Sequence, residues 1–203
     1  MNWQQAFDEN YWNVSNLLSI VRVLLLPFFI YLTLLYIEDP TGTLLSYIIG
    51  IAVLATITDF LDGFLARRLH QETIVGRYLD PICDKIVILT AMTLLYMYFE
   101  LPAWVYFFYI GREVVGVWGG TYLYFKRDLQ AKPNIFGKVA VALAAILTLW
   151  YYSVPYLKTV LNTDDFFLDA TPIAYVFVIV HVAGMIGYLV QYGKIVVAKK
   201  QVY

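Results

Sequence analysis

Six uninterrupted apolar runs, each close to the length of a bilayer crossing, constrain this chain more than any other feature. A helix that crosses about 30 Å of hydrocarbon needs roughly 20 apolar residues. The runs extend over about Leu17 to Ile37, Thr43 to Ala66, Gly76 to Tyr98, Pro102 to Phe125, Gly137 to Leu157 and Thr171 to Gly193. They are continuously apolar and do not alternate, which argues against membrane β-strands. Hydrophobic residues make up 61% of the chain and charged residues 14%, against roughly 45–50% and about 25% in soluble domains. An ordinary water-soluble domain is therefore excluded. An aromatic content of 18% excludes disorder as well. With 203 residues and no repeat, low-complexity tract or second domain, the expectation is one all-α membrane domain over residues 1–203 with six transmembrane helices. Before the first run, Trp3, Phe7, Tyr11 and Trp12 recur about once per helical turn and predict a short N-terminal interfacial helix. No basic start precedes that run, so a cleavable signal peptide is not expected.

The basic residues orient the spans. Of 14 Lys and Arg, only Lys158 falls on one side of the predicted membrane, together with Glu38, Asp39, Glu100, Asp164, Asp165 and Asp169. The rest lie in or toward the second-to-third linker, the fourth-to-fifth linker and the C-terminal tail. The positive-inside rule then puts both termini in the cytoplasm. A net charge of -1 supplies no global field for nucleic acid. The one cysteine, Cys83, allows neither an intramolecular disulfide nor a cysteine-based zinc site. It reads as a small hydrophobe.

The second and third runs do not fade into polar loops. Asp59, Asp62, Gly63 and Ala66 stand at i, i+3, i+4 and i+7, which is one helix face. That face carries two carboxylates and then two residues with almost no side chain. Gly76, Asp80 and Asp84 repeat every fourth residue at the start of the third run. So short a connection between the two runs makes antiparallel neighbours, and four carboxylates are expected to converge at the cytoplasmic boundary. Four ionised carboxylates in contact need compensation. Arg67, Arg77 and Lys85 offset part of it. Mg²⁺ does so better, binding through a few carboxylates and the phosphates of a substrate. Two such ions form the usual clamp for displacement at phosphorus. The bland alternative is that these residues cap two helices and pair with nearby Arg and Lys.

The pattern Asp59-x2-Asp62-Gly63-x2-Ala66-Arg67-x8-Gly76-x3-Asp80-x3-Asp84 resembles the signature of the CDP-alcohol phosphatidyltransferases, with all eight fixed positions filled. The resemblance implies a membrane enzyme of phospholipid biosynthesis that takes CDP-diacylglycerol and an alcohol acceptor. The acceptor oxygen attacks the β-phosphorus and CMP is released. Carried over position by position, Asp59, Asp62 and Asp80 are expected as metal ligands. Asp84 is expected as the general base, also near a metal. Gly63 and Ala66 would border the cytidine, Arg67 would meet the diphosphate, and Gly76 would give the nucleotide clearance; Asp59 and Asp62 would belong to the same CDP-lipid site. Two Mg²⁺ per site, with Mn²⁺ as a substitute, a homodimer, a cytoplasmic active site and a bacterial inner or plasma membrane complete what the family implies.

A phosphorylated acceptor needs further cations. Arg22, Arg112 and Lys138 are the candidates. Their surroundings, Asn16-Leu17-Leu18-Ser19-Ile20-Val21-Arg22, Arg112-Glu113 and Gly137-Lys138, resemble the branch of the family that makes phosphatidylglycerophosphate from glycerol 3-phosphate. One departure is present. That branch follows Gly-Lys with a second Lys and a Thr, where this chain has Val139-Ala140-Val141. Phosphatidylglycerol as acceptor, as in cardiolipin synthases, and inositol phosphate remain open. Each cation has a plainer reading. Arg22 can snorkel to the headgroups, and Lys138 can anchor at the interface. Arg112 is expected to face inward, with Gly116, Gly119 and Gly120 marking close helix packing. Its pairing with Glu113 is expected to be poor, because adjacent helical residues diverge. His181 reads as a hydrogen-bonded packing residue. An ion-coupled transporter is the rival class, but it favours carboxylates at the midplane and an internal repeat. A non-enzymatic scaffold is the other.

Overall fold

The computed structural model describes residues 14–68, 74–127, 135–162 and 171–198. Within these, side-chain surroundings are described except at 14, 15, 60, 62–67, 74–81, 123–127, 135–138, 141 and 194–198. The expected interfacial helix at the N-terminus lies outside the described residues.

The described residues form helices throughout: α1 (Val14–Leu24), α2 (Leu26–Glu38), α3 (Gly42–Arg68), α4 (Ile74–Tyr98), α5 (Ala103–Arg127), α6 (Ile135–Leu161) and α7 (Thr171–Ala198). Each apolar run of the sequence is helical and agrees with its expected bounds to within a few residues, apart from the longer C-terminal end of α7. The first run is two helices. Leu25 separates α1 from α2, and Pro27 lies in the first turn of α2. Proline has no N–H to donate to the preceding turn and its ring crowds that turn, which breaks an otherwise continuous helix.

Three stretches among the described residues are long and apolar enough to cross a membrane: Asn16–Glu38, Gly42–Asp59 and Thr171–Gly193. Their apolar side chains largely point outward. Leu189 is 71% exposed, and Trp118 on α5 is 77% exposed. Such apolar surface has no place in water and suits lipid. Hydroxyls on α3, α4 and α6 are satisfied locally. Thr56, Thr90, Thr148 and Ser153 each donate to the carbonyl oxygen four residues back, which leaves no hydroxyl proton seeking water.

The chain divides into two compact units, Met1–Leu94 and Leu95–Tyr203. In the first, α1 and α2 both pack on α3. α2 buries Leu26, Phe29, Thr33 and Tyr36, a single stripe at alternating spacings of three and four. In the second, α7 packs against α5 and α6. Val105 and Tyr109 of α5, Ala144 and Leu147 of α6, and Ala174 and Phe177 of α7 are buried there. Tyr109 lies against Phe177, with ring centroids 5.8 Å apart. Small Ala residues let the helix axes approach, and the aromatic rings fill the remaining volume.

Candidate active site

The charged end of the second apolar run stays helical. Asp59, Asp62, Gly63, Ala66 and Arg67 all fall within α3, which continues to Arg68. Gly76, Asp80 and Asp84 fall within α4, which begins at Ile74. The periodicity used to group these residues therefore holds along both helices. The side chains of Asp62, Arg67 and Asp80, and the surroundings of Gly63, Ala66 and Gly76, lie outside the described residues.

Asp59 and Asp84 are described, and they meet at one cation. Arg22 Nη1 lies 3.1 Å from Asp59 Oδ1 and donates a hydrogen bond to Asp84 Oδ1. One guanidinium nitrogen thus draws carboxylates from two different helices together. Arg22 is 3% exposed, whereas the two aspartate side chains are 53% and 39% exposed. The site consequently has a buried, cationic floor and an exposed, anionic rim.

The path of α1 explains why the cation is buried. α1 packs on α3, and its buried face is polar, carrying Asn16, Ser19 and Arg22 at successive intervals of three. The break at Leu25 leaves Arg22 in the last turn of α1, where the helix dipole favours positive charge. The plainer reading of Arg22, snorkelling to the headgroups, does not hold: two carboxylates and a helix C-terminus hold the guanidinium inward. Asn16 and Ser19 were not singled out from sequence. Their signal was present in the Asn-x2-Ser-x2-Arg spacing.

Mg²⁺ seeks carboxylate oxygens from more than one element beside open space for water and phosphate. Asp59 and Asp84 supply such oxygens, partly exposed and already gathered around a positive charge. Among the described residues there is no group of three or more His, Cys, Asp or Glu side chains placed to hold a metal. The residues present fit the ion. Cys83, between two signature aspartates, is buried.

The second unit holds the other candidate cations. Lys138 lies in the first turn of α6, with its side chain outside the described residues. Arg112 on α5 forms an ion pair with the adjacent Glu113, contrary to the expectation that neighbours would diverge. The reason is burial. Glu113 is 9% exposed, and a carboxylate removed from water needs a cation more than it needs ideal helix geometry. The long arginine stem curls across to provide one. Close packing at Gly116, Gly119 and Gly120 is also corrected, since a Cβ built at any of them meets nothing within 4 Å. His181 is buried and its Nδ1–H donates to the Phe177 carbonyl oxygen at 2.8 Å, the bond of a packing residue.

Outward-facing apolar helices, two of which bring carboxylates to one buried arginine, define a helical membrane protein. The family described as CDP-alcohol phosphatidyltransferase matches residues 12–198. The chain belongs to the CDP-alcohol phosphatidyltransferase family. A protein of Aquifex aeolicus (strain VF5) named CDP-diacylglycerol--glycerol-3-phosphate 3-phosphatidyltransferase is 35% identical over 158 residues, which is 74% of this chain and 84% of that protein. Proteins of the same name from Pseudomonas fluorescens and Escherichia coli (strain K12) are 41% and 40% identical, over 51% and 40% of this chain. Those two matches span 52% and 43% of the relatives' own lengths.

Proposed function

We propose that the chain transfers the phosphatidyl group of CDP-diacylglycerol to glycerol 3-phosphate, forming phosphatidylglycerophosphate and releasing CMP. One observation carries the reaction class: Asp59 and Asp84, at the signature positions, meet around a single cation. The choice of acceptor is supported by the names of the relatives, above all the Aquifex protein.

In this reading Asp84 takes the proton from the acceptor hydroxyl. The freed oxygen attacks the β-phosphorus and forms the new P–O bond. The bond from that phosphorus to the bridging diphosphate oxygen breaks, and CMP leaves with the electron pair. Mg²⁺, two ions per site, would be held by Asp59, Asp62, Asp80 and Asp84 and would neutralise charge on the diphosphate. Gly63, Ala66 and Gly76 leave room for the nucleotide, and Arg67 meets the diphosphate. Arg112 and Lys138 are proposed, from the sequence pattern around them, as the cations for the phosphate of the acceptor, and Arg22 stands beside the base.

The proposal extends to the whole molecule. The chain is one membrane domain over residues 1–203, with six spans, an interfacial helix at its N-terminus and both termini in the cytoplasm. The site opens at the cytoplasmic face of a bacterial plasma membrane, and the enzyme is a homodimer. Six helical apolar runs and the one-sided distribution of Lys and Arg support the spans and their orientation, and the dimer rests on the family alone.

The test is CMP release by purified protein given CDP-diacylglycerol, Mg²⁺ and one acceptor at a time. Glycerol 3-phosphate is expected to support release that EDTA abolishes. Release with phosphatidylglycerol or inositol 1-phosphate alone reassigns the acceptor, an outcome that Val139-Ala140-Val141 after Lys138 makes worth including. No release with any acceptor contradicts the proposal.

A further inference from the structure

We propose that Arg22 is a resident counter-ion that competes with divalent metal for Asp59 and Asp84, and so sets how tightly the site loads. The inference rests on the reading of these aspartates as metal ligands. Arginine keeps its charge at every working pH. Arg22 is the buried member of the trio at 3% exposure, and the aspartates, at 53% and 39%, are the exposed ones. A divalent ion arriving from the exposed side therefore meets carboxylates that a fixed charge behind them has already partly neutralised. To bind, it must draw the Asp84 oxygen away from Nη1 while being repelled by the same guanidinium. The geometry resists relocation of that charge. Arg22 closes the last turn of α1, on a face that also buries Asn16 and Ser19, and the dipole of α1 favours it there. Arg22 accordingly compensates the acidic centre when no metal is bound, and weakens metal binding when metal arrives.

The experiment measures Mn²⁺ binding by electron paramagnetic resonance on the purified full chain in detergent, without nucleotide. The parent, Arg22→Lys and Arg22→Gln are compared. Arg22→Gln removes the charge and is expected to tighten Mn²⁺ binding about tenfold. Arg22→Lys keeps the charge but shortens the side chain and so draws the charge back from the two carboxylates that Nη1 contacts, and is expected to tighten binding about twofold. If only the lysine variant folds, the direction of its change decides: a Kd below that of the parent supports the proposal, and an equal or higher Kd overturns it. Weaker binding in either variant overturns it too, by making Arg22 a support of the metal ligands. Failure of the underlying reading looks different. A parent that binds no Mn²⁺, or that binds it equally well after Asp59→Asn and Asp84→Asn together, contradicts the metal site itself. Intact parental binding with a flat Arg22 series sinks only the role of Arg22.

Discussion

At the scale of single residues, the acidic motif was legible because helical periodicity alone groups its members. Asp59 and Asp62 with Gly63 and Ala66, and Asp80 with Asp84, fall on common faces whatever the tertiary structure does, and both segments are helical. Small residues beside carboxylates make sense only if something flat lies over them. Gly63→Leu is therefore expected to weaken CDP binding about tenfold or more, measured by calorimetry with Mg²⁺ present; unchanged affinity would remove the nucleotide from that face. Arg22 was legible as a candidate cation but not in its position. Asp84, which it grips, lies 62 residues away, and nothing in a single sequence distinguishes an arginine that snorkels from one that turns inward. The Arg112–Glu113 pair escaped for a related reason. Helix geometry argues against neighbours pairing, and only the burial of Glu113 reverses that argument.

At the scale of helices, the apolar runs fixed existence and type, and tertiary or capping effects fixed the ends. α3 runs on through Arg67 and Arg68 because a charged helical turn at the interface costs no backbone hydrogen bond. The break at Leu25 follows from Pro27 and was visible only as a proline in the run. The end of α4 carries a feature that composition does not announce. Leu101 N–H reaches the Leu95 carbonyl at 3.2 Å, and Phe99 N–H reaches the same oxygen at 3.0 Å. The closure puts Glu100 at φ 58, a left-handed conformation in which glycine is the preferred residue. A side chain there costs about 1 kcal/mol. Glu100→Gly is expected to raise thermal stability by about that amount, read by fluorescence-detected unfolding in detergent. A lower midpoint would mean that the glutamate makes a contact worth more than the strain. Asn162, at φ 47 just past α6, occupies the same region with a residue that tolerates it.

At the scale of the molecule, composition excluded a water-soluble domain at once, and the exposed apolar side chains of the helices agree with it. Orientation rests on charge asymmetry. In a chain with Cys83→Ala, a cysteine at Thr163 is expected to react with a membrane-impermeant maleimide in intact cells. A cysteine at Gln71 is expected to react only after permeabilisation. The opposite pattern would invert the topology and move the acidic site to the outer face. Less of the acceptor was legible. Cations suit any phosphorylated alcohol, and the residues after Lys138 depart from the pattern of the branch that the rest of the chain resembles.

The proposed transfer of a lipid phosphate to glycerol 3-phosphate at this acidic centre is checked by incubating purified protein with CDP-diacylglycerol, Mg²⁺ and ¹⁴C-labelled glycerol 3-phosphate, then following the label into organic-soluble lipid. Labelled phosphatidylglycerophosphate and an equal amount of CMP are expected. With Asp84→Asn, label transfer falls about a hundredfold or more while CDP-lipid binding persists. Label that stays in the aqueous phase with the parent enzyme, or transfer that survives Asp84→Asn, would contradict it.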